Sequence, residues 1–152
     1  MFSLRWTLAN LAVLANATRR WKASMTRDAI DDLRRRHPLL YDGLRSTESY
    51  PDGWERLVNR LADQIETMIA EQPEAERASL RSAKEKFGTL VYQLSGPTTE
   101  KMNLAVRAAI DLARETCQEC GASGSMRVSS RQWYRVRCDE HARSDDSLLA
   151  KK

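Results

Sequence analysis

The feature that most constrains this chain lies near its end. Cys117-Gln118-Glu119-Cys120 is followed, after seventeen residues, by Cys138-Asp139-Glu140-His141. All 3 cysteines of the chain and one of its 2 histidines fall in this stretch. Two residues between ligands let the backbone turn back, so that both side chains of a pair reach one centre. The longer gap holds a hairpin that carries the second pair onto the first. Thiolate and imidazole suit Zn(II), and four protein ligands mark a structural site with no open coordination position. Cys117, Cys120, Cys138 and His141 are therefore the expected ligands of a structural zinc ion. The competing reading is a set of buried or oxidised cysteines, but three cysteines cannot all pair as disulfides. A reducing, cytoplasmic setting is expected.

At 152 residues, 41% hydrophobic and 30% charged, the chain can bury a modest core. That length suits one domain with an appendage. The formal net charge of +4 is unevenly placed. Residues 1–40 hold eight Lys/Arg against three Asp, a net of +5, whereas residues 41–152 sum to −1. Basicity thus belongs to the N-terminal quarter. It permits nucleic-acid binding without requiring it.

Residues 1–24 read as an amphipathic helical extension, with Leu4, Leu8, Leu11, Ala15 and Thr18 at helical spacing. Packing on the body, or a homodimer formed through residues 2–21, is the expected use. Arg5, the apolar run and Ala15-Asn16-Ala17 also resemble a signal peptide, but Asn10 and Asn16 interrupt the pattern. Interfacial membrane contact and a start at Met25 are further alternatives. The run is too short and too polar to span a bilayer.

Residues 25–116 read as an α+β body. A helix from Thr26 ends at His37, because Pro38 pushes the preceding residue out of helical geometry. Arg34, Arg35 and Arg36 complement the negative end of that helix, with phosphate or acidic-protein contact as the functional alternative. Leu39, Leu40, Tyr41 and Leu44 form an expected buried anchor, and 46–53 a loop. Asp52 and Glu55 suggest a capping box for a long helix. Its apolar face is Trp54, Leu57, Val58, Leu61, Ile65, Met68 and Ile69; Asn59, Asp63 and Glu66 lie opposite. A hairpin is expected over 80–94, with a strand near 78–84, a turn at Glu85-Lys86-Phe87-Gly88 and a strand over 89–94. Thr98 or Thr99 caps a further helix over 100–115, which delivers Cys117 to the body.

Residues 117–143 form the zinc module, and 144–152 a disordered tail. A strand over 131–138 alternates, placing Arg131, Trp133, Arg135 and Arg137 on one face. With Arg127 they make a basic stripe carrying one aromatic, and no acidic residue falls between Glu119 and Asp139. Such a stripe suits phosphate contact and base stacking, while a plain solvent-facing strand is the alternative. Asp139, Glu140, Asp145 and Asp146 would offset the field. Catalytic patterns are missing from the sequence: no His-x-Glu with Pro-Cys-x-x-Cys, no phosphate-cradling glycine loop, no nucleophile elbow.

Four stretches together carry a resemblance. They are Arg36-His37-Pro38-Leu39-Leu40-Tyr41, Asp52-Gly53-Trp54, Lys84-Glu85-Lys86-Phe87-Gly88-Thr89-Leu90, and Cys117-Gln118-Glu119-Cys120-Gly121 with Cys138 and His141. In this order they resemble a group of small, uncharacterised bacterial proteins, often phage- or prophage-associated. The resemblance spans about residues 26–141 and implies a layout and a metal site, but no activity. The expected architecture is α+β: about four helices, an antiparallel hairpin and a C-terminal zinc-ribbon or treble-clef-like module. The expected function is a non-enzymatic binding protein that recognises a host protein, nucleic acid or a nucleoprotein complex. A metal-dependent nuclease-like enzyme and a protein-only oligomerisation module are the alternatives.

Overall fold

The computed structural model describes residues 27–42 and 47–149. Helix α1 (Arg27–Arg36) stops where Pro38 forbids continuation. Helix α2 (Glu55–Ala70) buries Leu57, Val58, Leu61, Ala62, Ile65 and Ile69, the stripe its 3.6-residue period predicts. Helix α3 (Glu100–Ala113) starts at Thr99, whose hydroxyl accepts the Met102 N–H at 3.2 Å. These are the three α-helices among the described residues. The fourth expected helix, in 1–24, and the dimer contact through 2–21 lie outside them. No helix among the described residues is long and apolar enough to cross a membrane.

The polar face of α2 also takes part in the fold. Glu66 accepts the Leu39 N–H at 3.0 Å and the Leu40 N–H at 2.7 Å, one with each carboxylate oxygen. His37 is buried, donating from Nδ1 to the Leu33 carbonyl at 3.0 Å, with Nε2 at 2.6 Å from Asp63. His37 is thus the helix-end residue expected, and it fastens the end of α1 to α2.

Two features differ from expectation in the 46–54 region. Thr47–Ser49 is a strand, β1, parallel to β2 (Ser79–Lys86), with Thr47 opposite Ser82 and Ser49 opposite Lys84. Strand β1, helix α2 and strand β2 therefore form a β-α-β unit. Asp52 does not cap α2: Asp52–Trp54 is a single 3-10 turn, and Trp54 occupies the cap position without a side-chain bond. The tight Gly53 turn takes Asp52 too early for capping.

Strands β2 and β3 (Thr89–Ser95) make the expected hairpin, with Lys86 opposite Thr89. Its loop is Phe87-Gly88, both at positive φ (52° and 74°), the signature of a type I′ turn. The first strand therefore runs two residues past Lys84, the end expected for it. The sheet order is β1-β2-β3, and Leu90 and Tyr92 join Leu33, Leu40, Trp54, Ile65, Leu80 and Met102 in one core. Burial pushes the Tyr50 and Tyr92 hydroxyls well above the ordinary phenol range, so the core holds neutral groups.

The C-terminal end is a second sheet, β4 (Ser125–Ser129), β5 (Tyr134–Arg137) and β6 (Asp146–Leu148), in the order β5-β4-β6. Strand β5 begins three residues later than expected. Gln132 has φ 61° and donates its N–H to the Ser129 carbonyl at 2.9 Å, so 130–132 turn instead of extending. Residues 144–152, expected as a disordered tail, supply β6, which pairs with β4.

Candidate metal centre

Helix α3 ends at Ala113, and Cys117 follows within one turn of chain. The Cys117 N–H donates to the Ala122 carbonyl at 2.7 Å, and the Gly121 N–H to the Cys117 carbonyl at 2.9 Å, closing a knuckle around the first pair. Cys138 follows β5, and a 3-10 turn over Asp139–His141 folds the second pair back on itself.

The four expected ligands meet at one point. Cys117, Cys120, Cys138 and His141 place their ligand atoms within 4.8 Å of one another. Metal–sulfur and metal–nitrogen bonds of about 2.3 and about 2.0 Å in a tetrahedron require S···S edges of about 3.8 Å and S···N edges of about 3.5 Å. Cys120 Sγ and Cys138 Sγ are 3.8 Å apart. His141 Nδ1 lies 3.8 Å from Cys117 Sγ and 3.1 Å from Cys138 Sγ. Donor set and edge lengths fit a four-coordinate ion such as zinc, with Nδ1 as the histidine donor. Burial pushes the Cys117 thiol up, but backbone N–H groups of Cys138, Cys120 and Glu119 outweigh it and bring it down to about 7. A thiol poised near neutrality yields the thiolate a metal needs.

The body is docked directly on this knuckle. Gly53 donates its N–H to the Gln118 carbonyl at 2.9 Å. A Cβ on Gly53 would collide with the Cys117 carbonyl oxygen and stand 2.7 Å from that of Gln118, so only glycine permits the approach. Trp54 is fully buried, and its indole Nε1 donates to the Thr116 carbonyl at 3.0 Å. The hairpin tip makes a second dock. Gly88, forced by its φ of 74°, packs so close to Met126 that a Cβ would lie 2.6 Å from its sulfur. Glu85 accepts the Gly88 N–H at 2.6 Å and pairs with Arg135 at 3.1 Å.

The expected basic stripe is not a single exposed face. Arg127 is buried, paired with Asp139 at 2.6 Å and donating from Nε to the Arg137 carbonyl at 3.4 Å. Arg137 and Asp146 form a buried pair at 2.8 Å, with side chains only 5% and 2% exposed. Burial raises the Asp146 carboxyl, but the Arg143 N–H and the Arg137 guanidinium outweigh it and hold it below the ordinary aspartate range. Residues 130–132 turn, so strict alternation over 131–138 fails, and β6 pairs along β4 and brings Asp146 to Arg137. Of the four carboxylates expected to offset the field, Asp139 and Asp146 do so by direct pairing. Arg135 is half-buried, with its guanidinium 5.5 Å from the centre of the Trp133 ring. Arg131 and Trp133 are exposed. On α1, Arg35 and Arg36 pair with Asp32 at 3.3 and 3.0 Å, and Arg36 also reaches Asn59 at 3.4 Å; Arg34 is half-buried. The α1 arginines thus lie on a different element from Arg131 and Trp133.

Comparison with family models, with curated proteins and with solved structures returns no match. Sequence reasoning placed Gly53, Glu85 and Phe87 only as loop or turn residues, and it expected Asp139 and Asp146 to offset the basic field without naming their partners. Phe87 carried one visible signal. A two-residue turn before Gly88 favours Asn, Asp or Gly, so a phenylalanine there asks for an explanation.

Proposed function

We propose that this chain is a non-enzymatic binding protein stabilised by a structural Zn(II) in a zinc-ribbon or treble-clef-like module, working in a phage or prophage context on a host macromolecule. In this reading the ion is held by Cys117, Cys120, Cys138 and His141, and it organises a surface without taking part in chemistry. Four protein donors fill a tetrahedral ion, leaving no position for an activated water. The observation that carries the reading is the pair of large aromatics at the junction of body and module. Phe87 is 70% exposed, on a turn whose Gly88 N–H is held by Glu85. Trp133 is 60% exposed, its N–H donating to the Ser129 hydroxyl at 3.2 Å and its carbonyl accepting the Ser129 N–H at 3.0 Å. Rigid, exposed aromatics of this kind are typical anchors of binding surfaces.

Two measurements test it. Protein purified without chelator is expected to carry about one zinc per chain by elemental analysis. Phe87→Asn with Trp133→Ala, compared with the unaltered protein in pull-downs from bacterial lysate, is expected to lose the specifically captured species. Zinc-free protein sinks the metal assignment, and identical capture by both forms sinks the binding surface.

A further inference from the structure

Neither the turn nor the core explains Phe87. The first position of a turn with two positive φ values is easiest for Asn, Asp or Gly, and a bulky side chain at φ 52° strains the backbone. That strain is not repaid by burial, since the ring is 70% exposed. Trp133 is exposed too, with 60% of it facing solvent, but the positive φ beside it belongs to Gln132. Backbone strain that packing does not repay is the mark of a functional position.

Both rings carry a cation. Lys86 Nζ lies 5.6 Å from the centre of the Phe87 ring, and the Arg135 guanidinium 5.5 Å from that of Trp133. The two loops adjoin: a Cβ on Gly88 would stand 3.3 Å from the Tyr134 carbonyl carbon, and Glu85 ties Gly88 to Arg135. Arg131, on the same turn as Trp133, makes no side-chain hydrogen bond or ion pair with the described residues. Two carboxylates lie nearby: Glu85 pairs with Arg135, and Asp145 accepts the Ser130 hydroxyl at 3.0 Å. The surface thus offers flat apolar rings interleaved with positive charge.

We infer that this surface takes unpaired nucleic acid, with bases stacking on Phe87 and Trp133 and phosphates against Lys86 and Arg131. The inference rests on the binding-protein reading and names the partner. Unpaired bases expose the π faces that such rings accept, and their phosphates match the cations; in a duplex the same faces are hidden. An acidic protein would match the charge but leave the two rings without planar partners.

The test uses the full, zinc-loaded chain and fluorescein-labelled mixed-sequence strands of about 12 nucleotides. Anisotropy is read for single-stranded DNA, single-stranded RNA and the DNA duplex, at about 50 and about 200 mM salt. Single strands are expected to bind at least about tenfold tighter than the duplex and to weaken as salt rises, the DNA and RNA arms showing which backbone is preferred. Phe87→Asn and Trp133→Ala are each expected to weaken binding about 10- to 100-fold. Phe87→Asn relieves the turn, so its melting temperature should stay level or rise, separating lost contact from lost fold. Equal affinity for duplex and single strand, unchanged binding by Phe87→Asn, or no binding at low salt overturns the assignment. If nuclease-treated lysate still yields a protein captured by the unaltered chain and lost by Phe87→Asn, the nucleic-acid inference falls while the binding reading stands. If neither strands nor lysate proteins depend on these rings, both fall.

Discussion

The two halves of the molecule are held together by opposite means. The body, α1 through α3, buries Leu33, Trp54, Val58, Ile65, Leu80 and Met102, and even its buried phenols stay neutral. The segment from Cys117 to Leu149 has one fully buried aliphatic side chain, Val136, beside Cys117, and it buries Arg127 and Arg137. Apolar burial contributes in proportion to area and needs no exact partner. Buried charge depends on every partner being present, because desolvation costs several kcal/mol per ion. With so little apolar interior, the segment relies on its ion pairs and, in the proposed zinc-bound form, on the ion, and it should fail abruptly when either is removed.

The largest expected effect follows metal removal. A structural zinc ion contributes on the order of 10–16 kcal/mol of apparent binding energy. Chelation, or Cys117→Ser, should abolish hydrogen-exchange protection over 117–149 while leaving α2 and the hairpin protected. Full protection of 117–149 in metal-free protein would erase the contrast between the halves.

Breaking the buried pair comes next. Arg137→Ala or Asp146→Ala leaves an uncompensated buried charge, at about 3–5 kcal/mol, read as earlier urea unfolding of the module at constant zinc content. The Asp146 carboxyl is held below the ordinary aspartate range, so its contribution is fully present above that range and is lost as pH falls through and below it. Asp146→Asn should flatten this acid limb, with zinc release followed in the same titration to separate metal loss. In the body, Ile65→Ala should cost about 2–5 kcal/mol by opening a cavity, without changing zinc content.

Two smaller substitutions sharpen the boundary. Gly53→Ala drives a Cβ into the Cys117 and Gln118 carbonyls and should cost about 1–3 kcal/mol. Its diagnostic is the splitting of one unfolding transition into two; a single, merely shifted transition would show that the Gly53 contact does not couple the halves. Thr99→Ala removes the cap of α3 at about 1 kcal/mol and should leave zinc affinity untouched, as isothermal titration of metal would show.

What the sequence disclosed follows the same division. The stripe of α2, the Thr99 cap and the Gly88 turn are local patterns, so they could be read from neighbours along the chain. The Cys/His cluster was legible because two short spacings and a scarcity of cysteine leave few other arrangements. Strand β1 was not, since Thr47-Glu48-Ser49 has no apolar alternation and becomes a strand only by pairing with β2. The burial of Arg127 and Arg137 was hidden for a related reason. Alternation assigns side chains to faces, but it carries neither the turn at 130–132 nor the pairing of β6 with β4 that brings Asp146 to Arg137. Glu66 looked like a solvent residue because the N–H groups it accepts lie 26 and 27 positions away.

The seat of Gly53 on the Cys117–Gln118 backbone also sets an order in time. During synthesis, N-terminal units fold first. The body is complete at Ala113, just ahead of the knuckle, so Gly53 and Trp54 are made well before the backbone they hold. Cys117 and Cys120 leave the ribosome ahead of Cys138 and His141, so the first pair can seat on Gly53 and Trp54 before the second arrives. In the proposed zinc-bound form the ion would then meet its ligands in that order, at a place set by a residue made long before.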